Sequence, residues 1–195
     1  MRETARPVNG LCFTICLMVY SIAAGAAAPA QTVVASSRVV VYTPEHMTAR
    51  STLVGACSEK SLRAERSDAY RCTSGATAYD PCFRIGAARA ACPTDVFADR
   101  GIVVRSTRRL PRLAWAPSPS APWAMLLASG ARCLLHSSAR PDAHPFACTS
   151  TSGRAFACAS PRLHVPGATA YFVDCATTGA RAASLGSTLA RVIYE

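Results

Sequence analysis

The chain has 195 residues, half of them hydrophobic, and 21 Lys and Arg against 11 Asp and Glu give a formal net charge of +10. This composition excludes a wholly disordered chain or an acidic tail, because such segments lack the apolar residues needed for a core. The length suits one domain after removal of a targeting segment, and ten cysteines are many for a cytosolic protein.

The first thirty residues have the order of a secretory signal peptide. Arg2 and Arg6 form a basic start, an apolar run covers residues 11–28, and Ala28-Pro29-Ala30 provides a small-x-small cleavage site. An uncleaved membrane anchor is the alternative, since the run approaches the length of a membrane span. The Ala- and Gly-rich end of the run favours cleavage. We therefore expect a signal peptide at 1–30 and a secreted or periplasmic protein at 31–195, without a transmembrane span.

The first half of the mature region predicts short strands and turns. Residues 32–42 are rich in Val and predict a strand. The charged residues 59–68 predict a helical turn, and Asp80-Pro81 predicts a turn before the next cysteine. A short helix is predicted over 87–91 and a strand over 101–110.

A proline-rich segment, residues 111–122, predicts a linker between two sub-halves, 31–110 and 123–195. Residues 123–135 predict two strands around a turn, with a buried helix as the alternative. A hairpin is predicted from Phe146 to Cys158, and strands are predicted over 171–173 and 189–194. The pattern favours a mainly β fold, or a small α+β fold, as an antiparallel sandwich or barrel-like domain stapled by disulfides.

Signal cleavage leaves an even number of cysteines, which in an exported chain predicts up to four disulfides. These are Cys57, Cys72, Cys82, Cys92, Cys133, Cys148, Cys158 and Cys175. Metal binding is the weaker alternative, because the closest cysteines are ten residues apart and a zinc knuckle needs two to four. The sequence predicts no metal site and no cofactor.

The cysteine spacings also suggest an internal duplication with a unit of about 76 residues. They run 15, 10, 10 from Cys57 and 15, 10, 17 from Cys133, and both stretches contain Arg-x-Asp-Ala before an aromatic-x-Cys-Thr-Ser segment. A duplication predicts equivalent bridges in the two halves. Cys57–Cys72 or Cys72–Cys82 would then correspond to Cys133–Cys148 or Cys148–Cys158.

The sequence lacks the common catalytic motifs, among them GxSxG, the P-loop, HExxH and GxGxxG. A Ser/His/Asp site assembled in space, for example His144 with Asp142 or Asp174, is the alternative. No particular serine is marked for such a site. We therefore predict no catalytic residue and favour a protein that is not an enzyme.

The densest basic patch is the best candidate for ligand binding. It consists of Arg105, Arg108, Arg109, Arg112 and the neighbouring Trp115. Guanidinium groups beside an indole can hold anionic glycans, lipid phosphates or nucleic acid, although nucleic acid is a poor partner for an exported protein. The alternative is an exposed strand edge and loop that the charge keeps soluble.

Several short motifs carry a family resemblance: Asp68-Ala69-Tyr70-Arg71-Cys72, Asp80-Pro81-Cys82-Phe83, Pro122-Trp123 to Arg132-Cys133, and the final Ala190–Tyr194 segment. With them the chain resembles a loose group of uncharacterised exported, cysteine-containing proteins of high-GC bacteria. The resemblance implies export and paired cysteines. It implies no activity, so no site residue is transferred.

Together these observations favour an exported, disulfide-stabilised module without enzymatic activity that binds a partner or associates with the envelope. An anionic envelope polymer or a protein is the expected partner. Two alternatives stay open: a protein-directed inhibitor or effector, and a secreted hydrolase with a spatially assembled Ser/His/Asp site.

Overall fold

A computed structural model describes residues 36–114, 121–136, 143–163, 169–178 and 183–195. All of these residues belong to one compact unit, Val34–Glu195. The signal peptide predicted at 1–30 lies outside the described residues and stays a prediction.

The described residues form thirteen strands and two 3₁₀ turns, Pro44–His46 and Val96–Ala98. The strands are β1 (Arg38–Val40), β2 (Thr48–Lys60), β3 (Ala69–Ser74), β4 (Thr77–Gly86), β5 (Arg89–Asp95), β6 (Arg100–Ser106), β7 (Ala124–Leu127), β8 (Arg132–Leu135), β9 (Phe146–Thr149), β10 (Ala155–Cys158), β11 (Arg162–Leu163), β12 (Tyr171–Thr177) and β13 (Ser184–Tyr194).

Strands β2 to β6 form a closed barrel. Successive strands pair antiparallel, and β6 returns to pair parallel with β2, so that Leu53 lies opposite Val104. Tyr70, Val104 and Leu110 are buried inside with the cysteines of this half. Closure leaves β2 and β6 without a free edge over their paired residues, which protects them from pairing with another chain.

The remaining strands form a second sheet in the order β1-β13-β7-β8-β9-β10-β12-β11. The long strand β13 also pairs with β12, so this sheet curls back on itself. Met125, Leu127, Phe146, Val173 and Ile193 fill its core. The mainly β, disulfide-stapled fold class expected from the sequence is confirmed.

Aromatic side chains join the barrel to the second sheet. Phe83 of β4 lies 5.1 Å from Tyr42 and 5.8 Å from Trp123 between ring centroids. Tyr42 and Trp123 meet edge to face at 5.6 Å, an arrangement that aromatic quadrupoles favour. Arg66 stacks over Phe83 and donates to the Tyr42 carbonyl oxygen at 2.5 Å. Apolar packing and a charged hydrogen bond therefore hold the two sheets together.

Each disulfide joins two neighbouring antiparallel strands. The pairs are Cys57–Cys72 (β2 and β3), Cys82–Cys92 (β4 and β5), Cys133–Cys148 (β8 and β9) and Cys158–Cys175 (β10 and β12). Cys57–Cys72 and Cys133–Cys148 are one of the combinations that the duplication hypothesis left open. Both halves therefore use the same pairing of first with second and third with fourth cysteine.

Three local expectations were wrong. Residues 59–68 contain no helical turn, because β2 continues to Lys60. After it, the Ser61 hydroxyl oxygen accepts hydrogen bonds from the backbone amides of Arg63 and Ala64, which stabilises a turn. Residues 87–91 contain no helix: 87 and 88 form a turn, and β5 begins at Arg89. Ala90 and Ala91 are buried in the barrel wall, and this packing favours a strand over the helix that local composition suggests.

The third wrong expectation is the turn at Asp80-Pro81, which lies inside β4. The register against β3 shifts at this point, where Tyr70 faces Cys82 but Cys72 faces Tyr79. A bulge of this kind accommodates proline within a sheet, because the missing N–H is not needed for the ladder.

Other expectations were met. The strand predicted over 101–110 is β6 up to Ser106, and residues 123–135 form β7 and β8 around a turn at Gly130 rather than a helix. The hairpin from Phe146 to Cys158 is β9–β10, and the last two predicted strands are parts of β12 and β13. Of residues 32–42, Arg38–Val40 form β1 and 32–35 lie outside the described residues.

Candidate functional site

Exposed arginines gather at one end of the barrel. Arg89 of β5 lies directly opposite Arg105 of β6, and Arg108, Arg109 and Arg112 follow on the segment that leaves β6. We refer to these five residues as the arginine cluster. Trp115, predicted as part of this patch, lies outside the described residues.

The segment that carries three of these arginines is fixed to the barrel. Leu110 is buried in the barrel core, and its amide donates to the Ala87 carbonyl oxygen at 2.8 Å. The Tyr70 hydroxyl donates to the Pro111 carbonyl oxygen at 2.7 Å, and Arg84 donates to the same oxygen at 2.5 Å. Arg108, Arg109 and Arg112 are therefore held beside β5 and β6.

No member of the arginine cluster forms an ion pair with a carboxylate in the described ranges. Like charges directly opposite each other in a sheet are destabilising, and this applies to Arg89 and Arg105. A shallow hollow of about 640 Å³ lies between them, with Val54 and Ala87 on its wall. The cluster can therefore hold a negatively charged group by bidentate hydrogen bonds.

Sequence reasoning found Arg105, Arg108, Arg109 and Arg112 but missed Arg89. Arg89 is 16 positions before Arg105 in the chain, so only the pairing of β5 with β6 reveals that the two residues are neighbours. In the short helix expected over 87–91, the Arg89 side chain would not lie opposite Arg105 as it does in β5.

A second feature, missed from the sequence, is a cavity between the barrel and the second sheet. It measures about 260 Å³, and we call it the inter-sheet cavity. Arg63, Asp80 and Asp95 line it from the barrel side, and Trp123, Arg132 and Leu134 line it from the second sheet. No sequence motif marks it, because its walls come from segments that are distant in the chain.

Two carboxylates of this cavity are already engaged. Asp80 accepts hydrogen bonds from the Ser61 hydroxyl at 2.5 Å and the Leu62 amide at 3.0 Å. Asp95 forms ion pairs with Arg100 at 2.9 Å and with Arg132 at 3.3 Å.

The Asp95 carboxyl is held ionised by its surroundings. Burial opposes ionisation, but the hydrogen bond from Arg100, the charges of Arg132 and Arg100 and the Phe97 amide outweigh it and lower the pKa of Asp95. Asp95 therefore carries its charge throughout the neutral range.

Within the described part of the chain, the cysteines present no free thiol, and His144 does not form the Ser/His/Asp arrangement considered from the sequence. The sulfurs of Cys72, Cys82 and Cys92, like those of Cys133, Cys148 and Cys158, lie within 4.8 Å of one another, but all are in disulfides and present no thiolate. His144 makes no hydrogen bond to a described serine or aspartate, and Asp174 pairs with Arg162.

Asp142, the other predicted partner of His144, lies outside the described residues. Within the described ranges, no helix has the length and hydrophobicity to cross a membrane. Comparison with protein-family models, with curated proteins and with solved structures found no match for the chain.

Proposed function

We propose that the protein is an exported binding module without enzymatic activity that holds an anionic polymer of the cell envelope or exterior through the arginine cluster. The observation that carries this proposal is the juxtaposition of Arg89 and Arg105, with Arg108, Arg109 and Arg112 fixed beside them. Among the described residues, no carboxylate is paired to any of the five. Because like charges directly opposite each other destabilise a sheet, a bound anion would relieve the repulsion between Arg89 and Arg105.

The four disulfides support an exported location, because such bonds persist in oxidising compartments. The proposed signal peptide and the secreted or periplasmic location agree with this chemistry. Rigid cross-links between strands also suit a binding module, since they hold the barrel end in one arrangement before the ligand arrives.

The test compares two triple variants with the same loss of charge. Arg105, Arg108 and Arg109 are replaced by Gln in one, and the exposed Arg50, Arg154 and Arg191 in the other. Retention of the mature, oxidised protein on immobilised polyglycerol phosphate and on polyglutamate is measured at about 50 and about 500 mM salt, where screening differs strongly.

We expect the wild type to bind at low salt and to dissociate at high salt. The cluster variant should lose about tenfold in affinity, and the control variant much less. Equal losses would show a general effect of net charge, and the absence of binding at low salt would remove the proposal. Recovery of one defined protein partner by the cluster, insensitive to polymer competition, would favour a protein-directed inhibitor or effector instead.

A further inference from the structure

The hollow at the arginine cluster follows one cross-strand row of the barrel. Val54 of β2 lies beside Arg105 of β6 in this row. Arg105 lies opposite Arg89 of β5, and Arg89 lies opposite Gly86 of β4. Val54, Arg105 and Arg89 are exposed, and all three line the hollow. The two arginines therefore have an apolar neighbour on one side and a residue without a side chain on the other.

Arg89 and Arg105 are close enough to contact one and the same group. Residues directly opposite each other in antiparallel strands have Cβ atoms about 4.5–5.5 Å apart. Neither arginine forms an ion pair with a carboxylate in the part of the chain that the structure describes. One ligand group with two negative charges would neutralise both guanidinium groups. Two singly charged groups held at the same short distance would instead repel each other, as the arginines do.

A phosphomonoester supplies two charges on a single group. It has a charge of about −1.5 to −2 at pH 7 and offers three strong acceptor oxygens. Such oxygens can accept paired hydrogen bonds from more than one guanidinium group. A phosphodiester or a carboxylate has a single charge and fewer of these oxygens. The hollow, of about 640 Å³, has room for a phosphate group at the end of a larger molecule.

We propose that Arg89 and Arg105 together select phosphomonoester groups, bound as dianions, over phosphodiesters and carboxylates. This selection rests on the proposed function, because it names the group of the anionic polymer that the arginine cluster recognises. The other three arginines of the cluster attract further negative charge along the polymer. Val54, on the wall of the hollow, offers apolar contact to the atoms that carry the phosphate.

The selection predicts a pH dependence that originates in the ligand. The second pKa of a phosphomonoester is about 6, so the group is mainly a dianion above this pH and a monoanion below it. Among the described residues that line the hollow, Arg89 and Arg105 are the charged groups, and arginine keeps its charge throughout this range. Affinity for a phosphomonoester should therefore fall about fivefold from about pH 7 to about pH 5. Affinity for a phosphodiester should stay constant.

The experiment compares phenyl phosphate with its methyl ester, methyl phenyl phosphate, which lacks the second ionisation. Each compound is titrated at low salt into ¹⁵N-labelled mature, oxidised protein, and the backbone amide signals of residues 88–89 and 105–107 report binding. We expect phenyl phosphate to bind about tenfold more tightly than the diester at pH 7, and within about twofold of it at pH 5. Equal affinities at pH 7 would overturn the proposal.

Three exposed positions provide the variants. Arg89→Gln and Arg105→Gln each remove one half of the pair, from different strands, and should abolish the preference for the monoester. Arg112→Gln is the matched control, because it removes the same charge from the cluster but leaves the pair intact. It should weaken binding of both compounds equally and keep the preference. A preference that survives in both Arg89→Gln and Arg105→Gln would also overturn the proposal.

Two larger probes identify the source of the group. Phosphorylated dextran presents phosphomonoesters on a glycan, and vesicles of phosphatidylcholine with phosphatidic acid present them on a lipid. Retention by either probe that weakens in Arg89→Gln but not in Arg112→Gln would support the site, and retention by neither would overturn it. Polyglycerol phosphate, a phosphodiester chain, tests the proposed function separately. Retention on it without a preference for the monoester would remove only the selection, whereas loss of all polymer retention would remove the proposed function.

Discussion

The Sγ of Cys148 lies 3.4 Å from the Sγ of Cys158, although the two sulfurs belong to different disulfides. The bridges of the second sheet therefore lie side by side across the β9–β10 hairpin, in the centre of its core. In the barrel, the sulfurs of Cys72, Cys82 and Cys92, which come from both bridges, lie within 4.8 Å of one another. Each half thus uses stacked disulfides where a larger domain would place bulky apolar side chains, which suits small cores with limited apolar area.

Removal of the Cys133–Cys148 bridge by a double change to Ala should lower the free energy of unfolding by about 3 kcal/mol, because the bridge closes a loop of 15 residues in the unfolded chain. Urea unfolding of the oxidised variant and wild type measures the difference. The Cys57–Cys72 double variant serves as the matched comparison, since it closes a loop of the same length. A non-reducing peptide map that found other pairs would contradict the assignment itself.

The sequence predicted the strands where apolar residues and turn residues agree, and failed where tertiary contacts decide. Residues 146–158 carry two aromatic-Ala-Cys segments around a polar turn, and they form the expected hairpin. The charged residues 59 and 60 suggested a helix, but pairing of Glu59 with Arg71 and of Lys60 with Tyr70 makes them strand. Cross-strand partners of this kind are not visible in local composition.

The same reason limits what the sequence could say about the sites. Clustered arginines near 105–112 are visible in the chain, whereas Arg89 joins them only through strand pairing. Arg63 and Trp123 are 60 residues apart in the chain, and only the packing of the barrel on the second sheet brings both residues to the wall of the inter-sheet cavity.

Gly55 of β2 is expected to tolerate no side chain. A Cβ there would lie 2.1 Å from the Thr73 carbonyl oxygen of β3, and backbone cannot move away as a flexible side chain would. Gly55→Ala should therefore destabilise the protein by about 1–3 kcal/mol. Gly86→Ala is the control, because its Cβ would meet nothing closer than 3.8 Å, and its effect should stay within about 0.5 kcal/mol. Thermal unfolding of both variants measures the contrast, and similar melting temperatures would contradict it.

Arg84 is expected to control the order of the segment that carries the arginine cluster. Its guanidinium lies over the Tyr70 ring and donates to the carbonyl oxygens of Leu110 and Pro111. Arg84→Gln removes these charge-assisted bonds, so tryptic cleavage after Arg109 and Arg112 should become about tenfold faster in the native state. Arg71→Gln, which breaks only the exposed pair with Glu59, should leave the cleavage rate unchanged. Equal rates in all three proteins would show that other contacts hold the segment.

Tyr42 should make the protein sensitive to alkaline pH. Its hydroxyl is buried without an acceptor among the described residues, and burial, with the charges of Asp99 and Tyr194, raises its pKa to about 12. The pKa of a tyrosine in the unfolded chain is about 10, so the folded state holds this proton more tightly than the unfolded state does. The free energy of unfolding should therefore fall as the pH rises from about 10 to about 12.

Tyr42→Phe should reduce this loss of stability at high pH. Below about pH 9 it should also stabilise the protein by about 1 kcal/mol, since the ring contacts remain and the unsatisfied hydroxyl is gone. Urea midpoints across this pH range test both effects, and a Phe variant that is less stable at neutral pH would show that the hydroxyl has a partner after all.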